Sequence, residues 1–227
     1  MILALENSSP RGSVALGRTV AASAEIEVIW RAEFQTGRGR GGELFEALEN
    51  AWRVVAAADA KLEEIIVGLG PGSYAGVRLA VSAAVGLALA TGARLGGRPS
   101  ALALALATDA PEFHAIGDAR RGTFYHTAVR AGRAVAGPAL VPDVASLCAR
   151  LDETGKGWPV FLADGAALPM AELNATVCLP DAARLLARRL EPAEVAPMGR
   201  APEPIYLRAP AITLPKQSAG AEFSSFQ

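Results

Sequence analysis

Residues 65–78 read Ile65-Ile66-Val67-Gly68-Leu69-Gly70-Pro71-Gly72-Ser73-Tyr74-Ala75-Gly76-Val77-Arg78, and the fold class turns on them. The β-branched run at 65–67 has the composition of a strand buried on both faces. Glycine and proline stop it at Gly70-Pro71-Gly72-Ser73. From Val77 to Thr91 the chain is apolar nearly all round and rich in alanine, which predicts a helix covered on most sides, with Gly92 as its C′ stop. Strand, glycine turn and helix make one α/β unit. The helix start is a generic anion site. The spacing Gly-x-Gly-x-x-x-Gly is one residue longer than the dinucleotide fingerprint, and Arg94-Leu95-Gly96 supplies no acid to hold a ribose. Two readings therefore stand side by side: a phosphate cradle, or a tight turn that packs helix on sheet.

Working outward, Ile2 to Leu5 and Gly12 to Gly17 read as strands of a hairpin, joined by Glu6-Asn7-Ser8-Ser9-Pro10. That turn too has two readings, a carboxylate-and-hydroxyl cradle for a metal–phosphate group or an ordinary polar turn. Glu25 to Phe34 predicts a third strand, and residues 37–42 a loop carrying Arg38 and Arg40. Glu43 to Ala58 has helical period, with Leu44, Leu48, Ala51, Trp52 and Val55 on one stripe that Phe45 widens. Beyond Pro99, Ser100 predicts the N-cap of a helix reaching Ala107. Phe113–Gly117 and Thr123–Val129 predict a hairpin turning at Asp118-Ala119-Arg120-Arg121-Gly122. Ala145–Leu151 predicts a helix and Val160–Ala163 a strand. Asp181–Leu190 predicts an amphipathic helix with Arg184, Arg188 and Arg189 outward. The halves resemble each other coarsely, so the expected organisation is a lobe over 1–99, a second over 100–208 and a disordered tail over 209–227.

The 227 residues carry 22 basic and 23 acidic side chains. A net charge near zero excludes a whole-chain basic field for nucleic acid. Cys148 and Cys178 stand in no CxxC or Cys/His cluster, which argues against a disulfide framework or structural zinc and predicts buried thiols in a reducing cytoplasm. His114 and His126 are twelve apart and lack the i, i+4 spacing of a metal helix. No lysine follows a glycine loop in the Walker manner. His126 reads as a satisfied buried histidine and Trp158 as a packing anchor. The opening Met1-Ile2-Leu3-Ala4-Leu5-Glu6 is not that of a signal peptide, and a membrane partner is not expected.

Taken together and in order, these pieces resemble the bacterial TsaB (YeaZ) family. Gly70-Pro71-Gly72-Ser73-Tyr74-Ala75-Gly76-Val77-Arg78 is similar to the family's Gly-Pro-Gly-Ser-Phe-Thr-Gly-Leu/Val-Arg. Ile2-Leu3-Ala4-Leu5-Glu6-Asn7-Ser8-Ser9 resembles Ile-Leu-Ala-Ile-Asp-Thr-Ser, and Asp118-Ala119-Arg120-Arg121-Gly122-Thr123-Phe124-Tyr125 resembles Asp-Ala-Arg-x-Gly-Glu-Val-Tyr. Gly155-Lys156-Gly157-Trp158 and Pro204-Ile205-Tyr206-Leu207-Arg208 fall where the family has similar pieces. Two departures stand out: Glu6 replaces the family's first-strand aspartate, and Arg38-Gly39-Arg40-Gly41-Gly42 replaces a usual His-Ser.

The resemblance implies a two-lobed α/β fold of the actin-like ATPase type, shared by sugar kinases, Hsp70 and actin, with duplicated sheet-and-helix lobes. It implies a non-catalytic subunit, active in the cytoplasm, that supports threonylcarbamoylation of adenosine 37 in tRNA. Its partners would be the transferase paralogue TsaD and the ATPase TsaE, with a homodimer forming when TsaD is absent and tRNA reached through the complex. The chain would need no cofactor or metal of its own, with ATP and magnesium at a subunit interface. Leu44, Phe45, Leu48, Trp52, Val81 and Val85 would form the partner face. Glu6, Asn7, Ser8, Gly70, Gly72, Ser73 and Asp118 would mark a vestigial nucleotide site. The alternative is a small-molecule kinase or ATPase acting alone, with Glu6 and Ser8 at phosphate and Asp118 on metal. A peptidase lacks a nucleophile–base pair or a metal pair.

Overall fold

The computed structural model describes residues 1–20, 25–37, 39, 41–104, 110–165, 173–197 and 199–208. The tail expected over 209–227 lies outside them, as do residues 105–107 of the helix expected from Ser100 to Ala107.

Two five-stranded sheets repeat one plan. In the first, β1 (Ile2–Glu6), β2 (Arg11–Thr19) and β3 (Ile26–Gln35) form an antiparallel meander. Helix α1 (Gly41–Ala57) leads to β4 (Glu64–Gly68), parallel to β1, and α2 (Tyr74–Thr91) leads to β5 (Arg94–Arg98), parallel to β4. The order is β3-β2-β1-β4-β5. In the second sheet β6 (Glu112–Asp118), β7 (Phe124–Arg130) and β8 (Arg133–Val141) form the meander. Helix α3 (Val144–Gly155) then precedes β9 (Val160–Leu162), parallel to β6, and β10 (Ala175–Val177) extends the edge. The order β8-β7-β6-β9-β10 is the first sheet's order repeated.

Side chains alternate across each strand, so a sheet covered on both faces needs apolar residues at every position. Leu3, Leu5, Val14, Leu16, Ile65 and Val67 face α1 and α2. Their neighbours Ile2, Ala4, Ala15 and Ile66 face the other way, onto Ala182, Leu185, Leu186 and Leu190. The short helix α4 (Ala182–Leu185) thus returns from the second half of the chain to cover the first sheet, so packing crosses the boundary expected at residue 99. Arg98 fastens this return: buried, it donates to the carbonyls of Leu185, Arg188 and Arg189 and to the carboxylate of Glu194. Burial acts to raise the Glu194 pKa, but Arg98 and Arg188 outweigh it and hold it at about 2.

Several expectations are corrected. Ser100 does not cap a helix: a single 3₁₀ turn spans Ser100–Ala103, and the Ser100 hydroxyl accepts the Gly70 N–H at 2.9 Å. The helix expected over 181–190 is only the one turn of α4, because Arg188 and Arg189 point back to Glu194, Glu63 and Glu64 rather than outward. Cys148 is exposed on α3; only Cys178 is buried. Strands β5, β8 and β10 were not expected. Gly96-Gly97 in β5 and Gly137-Pro138 in β8 carry turn composition, but β8 is an edge strand that tolerates proline. In β5, side chains on Gly96 and Gly97 would collide with Leu190 and Leu69.

Helix α2 passes the length and hydropathy test for a membrane span. It buries Gly76, Val77, Ala80, Val81 and Ala84 on the sheet and leaves Ser82, Gly86 and Leu89 outside. Gly92 closes it in the left-handed conformation at φ 70°, its N–H on the Ala88 carbonyl. The partner face expected on α1 and α2 is therefore divided. Leu44, Leu48 and Val81 belong to the protein's own core, Val85 is half-buried, and Phe45 and Trp52 are exposed.

Two glycines of α2 give opposite predictions. A methyl on Gly76 would meet the Asn7 carbonyl, whereas Gly86 has open space around it. Gly76→Ala should destabilise by about 1–3 kcal/mol despite alanine's helix preference, and Gly86→Ala should stabilise by up to about 1 kcal/mol. Urea melts of the two variants check the pair.

Candidate functional site

The polar turn after β1 lies against the glycine turn after β4. Three of its residues are seated on glycines: a side chain at Gly68 would strike the Glu6 carboxylate, at Gly72 the Ser8 backbone, and at Gly76 the Asn7 carbonyl. Hydrogen bonds complete the seat. The Ser8 N–H donates to Glu6 Oε1 at 2.8 Å, the Ser73 N–H to the Ser8 carbonyl at 2.7 Å, and Asn7 Nδ2 to the Gly76 carbonyl at 3.0 Å. Ser73 caps α2, its hydroxyl accepting the Gly76 N–H at 3.2 Å. Glycine is required at 72, where φ is 155°.

Glu6, Asn7 and Ser8 are consequently buried. Burial pushes the Glu6 carboxyl pKa up, against the lowering effect of Ser8 and Ser100. Among the described residues Glu6 Oε2 has no hydrogen-bond partner; it faces Gly68.

The two sheets meet at a cleft of about 440 Å³. The first contributes Leu69, Pro71, Gly72, Tyr74 and Val77; the second contributes the hairpin turn Asp118–Arg121 and Tyr125; residues 204–208 close one side. Asp118 is positioned by its N–H, which donates to Asp164 Oδ2 at 2.6 Å. Its carboxylate accepts the Arg120 N–H at 2.7 Å and pairs with the Arg120 guanidinium at 3.3 Å. The Tyr125 ring lies on Gly117, and its hydroxyl pKa is raised by burial and by Asp164, Glu6 and Asp118.

The sequence-predicted site residues are therefore divided. Gly72 and Asp118 reach the cleft. Asn7 and Ser73 line a separate hollow beside Phe34 and Leu44. Glu6 and Ser8 line neither, and Gly70 is a backbone donor to Ser100. Residues 204–208 in the cleft wall were legible only as a motif, because no period or charge run marks them.

An actin-like fold implies adenine nucleotide and magnesium in such a cleft. The β1–β2 turn does not fit them. Its Ser8 N–H is already bound to Glu6, and burial favours the neutral carboxyl, the wrong form for a cation. Among the described residues no group of three His, Cys, Asp or Glu side chains is placed to hold a metal.

His114 and His126 meet under α3, Nδ1 to Nε2 at 3.0 Å, with His114 Nε2 on the Gly155 carbonyl at 2.9 Å. Among the described residues His126 Nδ1 has no partner, so there that histidine is buried but not fully satisfied, contrary to expectation. Trp158 stacks on His114 at 5.3 Å, and the Arg130 guanidinium covers it at 4.9 Å, as a packing anchor should.

The repeated meander-and-crossover sheets define the class: this is an actin-like ATPase fold. A family model described as TsaD, tRNA N6-adenosine threonylcarbamoyltransferase, matches residues 43–158, and the chain belongs to that family. Among solved structures, a protein from Pseudomonas aeruginosa described as similar to peptidase YEAZ is 22% identical, with a TM-score of 0.66 over 91% of this chain and 99% of that one. YeaZ from Pseudomonas aeruginosa is 21% identical, with a TM-score of 0.60 over 82% and 88%. Both share the fold over nearly their full lengths. No curated protein matches significantly in sequence.

Burial lowers the His126 pKa to about 4 and lowers that of His114 as well. Native histidines that stay neutral while unfolded ones protonate make stability fall as pH drops from about 6.5 towards 4. The expected slope is about 1.4 kcal/mol per pH unit for each such histidine. His126→Gln, whose amide nitrogen sits near the place of the lost Nε2 and can donate to His114 Nδ1, should flatten it; urea melts at stepped pH measure this.

Proposed function

We propose that this chain is a non-catalytic subunit of the tRNA threonylcarbamoylation machinery, docking through α1 and α2 onto the same pair of helices in a transferase paralogue. The observation that carries the reading is the outer surface of that pair. Phe45 is 52% exposed, Trp52 46% and Leu89 71%. Phe45 and Trp52 are two helical turns apart on α1, and Ser82 and Gly86 form a small-residue ridge on α2. Large apolar side chains beside small ones suit close helix–helix packing. Membership of the TsaD family supports a paralogue as the partner.

In this reading a second copy takes the same face when the paralogue is missing. TsaE joins the assembly, tRNA is reached through the complex in the cytoplasm, and any ATP and magnesium belong to the subunit seam. A solitary kinase or ATPase is the weaker reading, because Glu6 and Ser8 lie apart from the cleft that holds Asp118.

Trp52→Glu and Phe45→Glu should lower co-purification of the transferase paralogue at least tenfold while leaving the melting temperature within about 2 °C, since exposed substitutions change stability little. Val81→Glu should unfold the chain instead, because it buries a charge in the core. Undiminished capture with both α1 variants contradicts the reading, as would full tRNA modification in assays lacking this chain.

A further inference from the structure

We propose that the inter-sheet cleft is a binding site for single-stranded RNA, with Tyr206 as the stacking platform and Arg120, Arg121 and Arg208 as phosphate contacts.

Tyr74 and Tyr206 lie 5.3 Å apart at the cleft rim. Arg78 covers the Tyr74 ring at 5.1 Å and donates to its hydroxyl at 2.7 Å, fixing the first tyrosine in place. Tyr206 rests on this base with 45% of its surface open to solvent. A held, solvent-facing aromatic ring is what an unpaired base stacks on.

Facing it, the β6–β7 turn presents two guanidiniums on a demanding backbone. Arg120 and Arg121 both have left-handed φ, 68° and 57°. Glycine or asparagine adopts such a turn more easily, so arginine there is kept against local preference. Arg121 makes no ion pair among the described residues. Arg208 is held at the same turn by its bond to Thr123 Oγ1 at 2.5 Å. Around the cleft Arg78, Arg120, Arg121 and Arg208 stand against the carboxylates of Asp118, Asp164 and Glu203. On a chain of near-zero net charge this is a local basic field beside an aromatic ring.

The cleft walls favour a strand over a free nucleoside triphosphate. Arg120 and Arg121 lie on an exposed turn, with Arg208 bound beside it at Thr123, and a chain can follow this course. The choice of RNA rests on the role proposed above. The test uses the isolated chain, so its failure leaves docking through α1 and α2 untouched.

Fluorescence anisotropy with short fluorescein-labelled oligouridine and oligoadenosine is the measurement, run from about 50 to 200 mM salt. Both strands should bind the wild type. Tyr206→Ala should weaken binding about fivefold or more with an unchanged salt slope, and Tyr206→Phe should retain it. Arg120→Asn with Arg121→Asn, which suits the left-handed turn, should weaken binding about tenfold and reduce the log–log salt slope by roughly one unit. Arg53→Asn, on the exposed face of α1, should bind as wild type. No binding, equal losses with Arg53→Asn, equal affinity for duplex RNA, or displacement by micromolar AMP would each overturn the proposal.

Discussion

The arrangement depends on three glycines spaced four apart. Gly68, Gly72 and Gly76 lie at the end of β4, in the following turn and in the first turn of α2, and they seat Glu6, Ser8 and Asn7. Backbone meets backbone at Gly72 and Gly76, where no side chain can move aside. This close approach fixes α2 against the first sheet and decides which α2 residues face solvent. Within the turn itself the Ser8 N–H is bound to Glu6 Oε1, so it is not free for a phosphate.

A second constraint joins the lobes. The chain after β10 runs back to cover the first sheet with Leu185, Leu186 and Leu190, and Arg98 gathers three of its carbonyls while pairing with Glu194. Glu64, buried on β4, accepts from Arg94, Arg189 and the Leu190 N–H. At the cleft wall the Ile205 N–H donates to the Leu69 carbonyl at 2.8 Å and Arg208 to Thr123 Oγ1, which places Tyr206 between them.

Much of the first lobe was legible because period and punctuation agreed. The runs at 2–5 and 65–67, the stripe of α1 and the Gly92 stop all lie where the sequence puts them. What failed did so where tertiary contacts overrode local pattern. Ser100 has N-cap chemistry but serves Gly70. The arginines at 188 and 189 look solvent-facing until Glu63, Glu64 and Glu194 arrive from elsewhere. Leu44, Leu48 and Val81 lie on the helices expected to dock, yet one-residue differences in facing put them inside while Phe45 and Trp52 remain outside. The candidate site was legible as motifs but not as geometry: only the fold shows that Glu6 and Ser8 are sealed away from the cleft that Asp118 reaches.

The β1–β2 turn is closed on the glycine turn as a structural joint. Native-state amide hydrogen exchange at Ser8, Ser73 and Gly76, with and without Mg-ATP, tests it most directly. A closed joint gives slow exchange at all three amides, approaching the global unfolding limit, and unchanged by Mg-ATP. Fast exchange that Mg-ATP slows would contradict it and return the turn to phosphate binding.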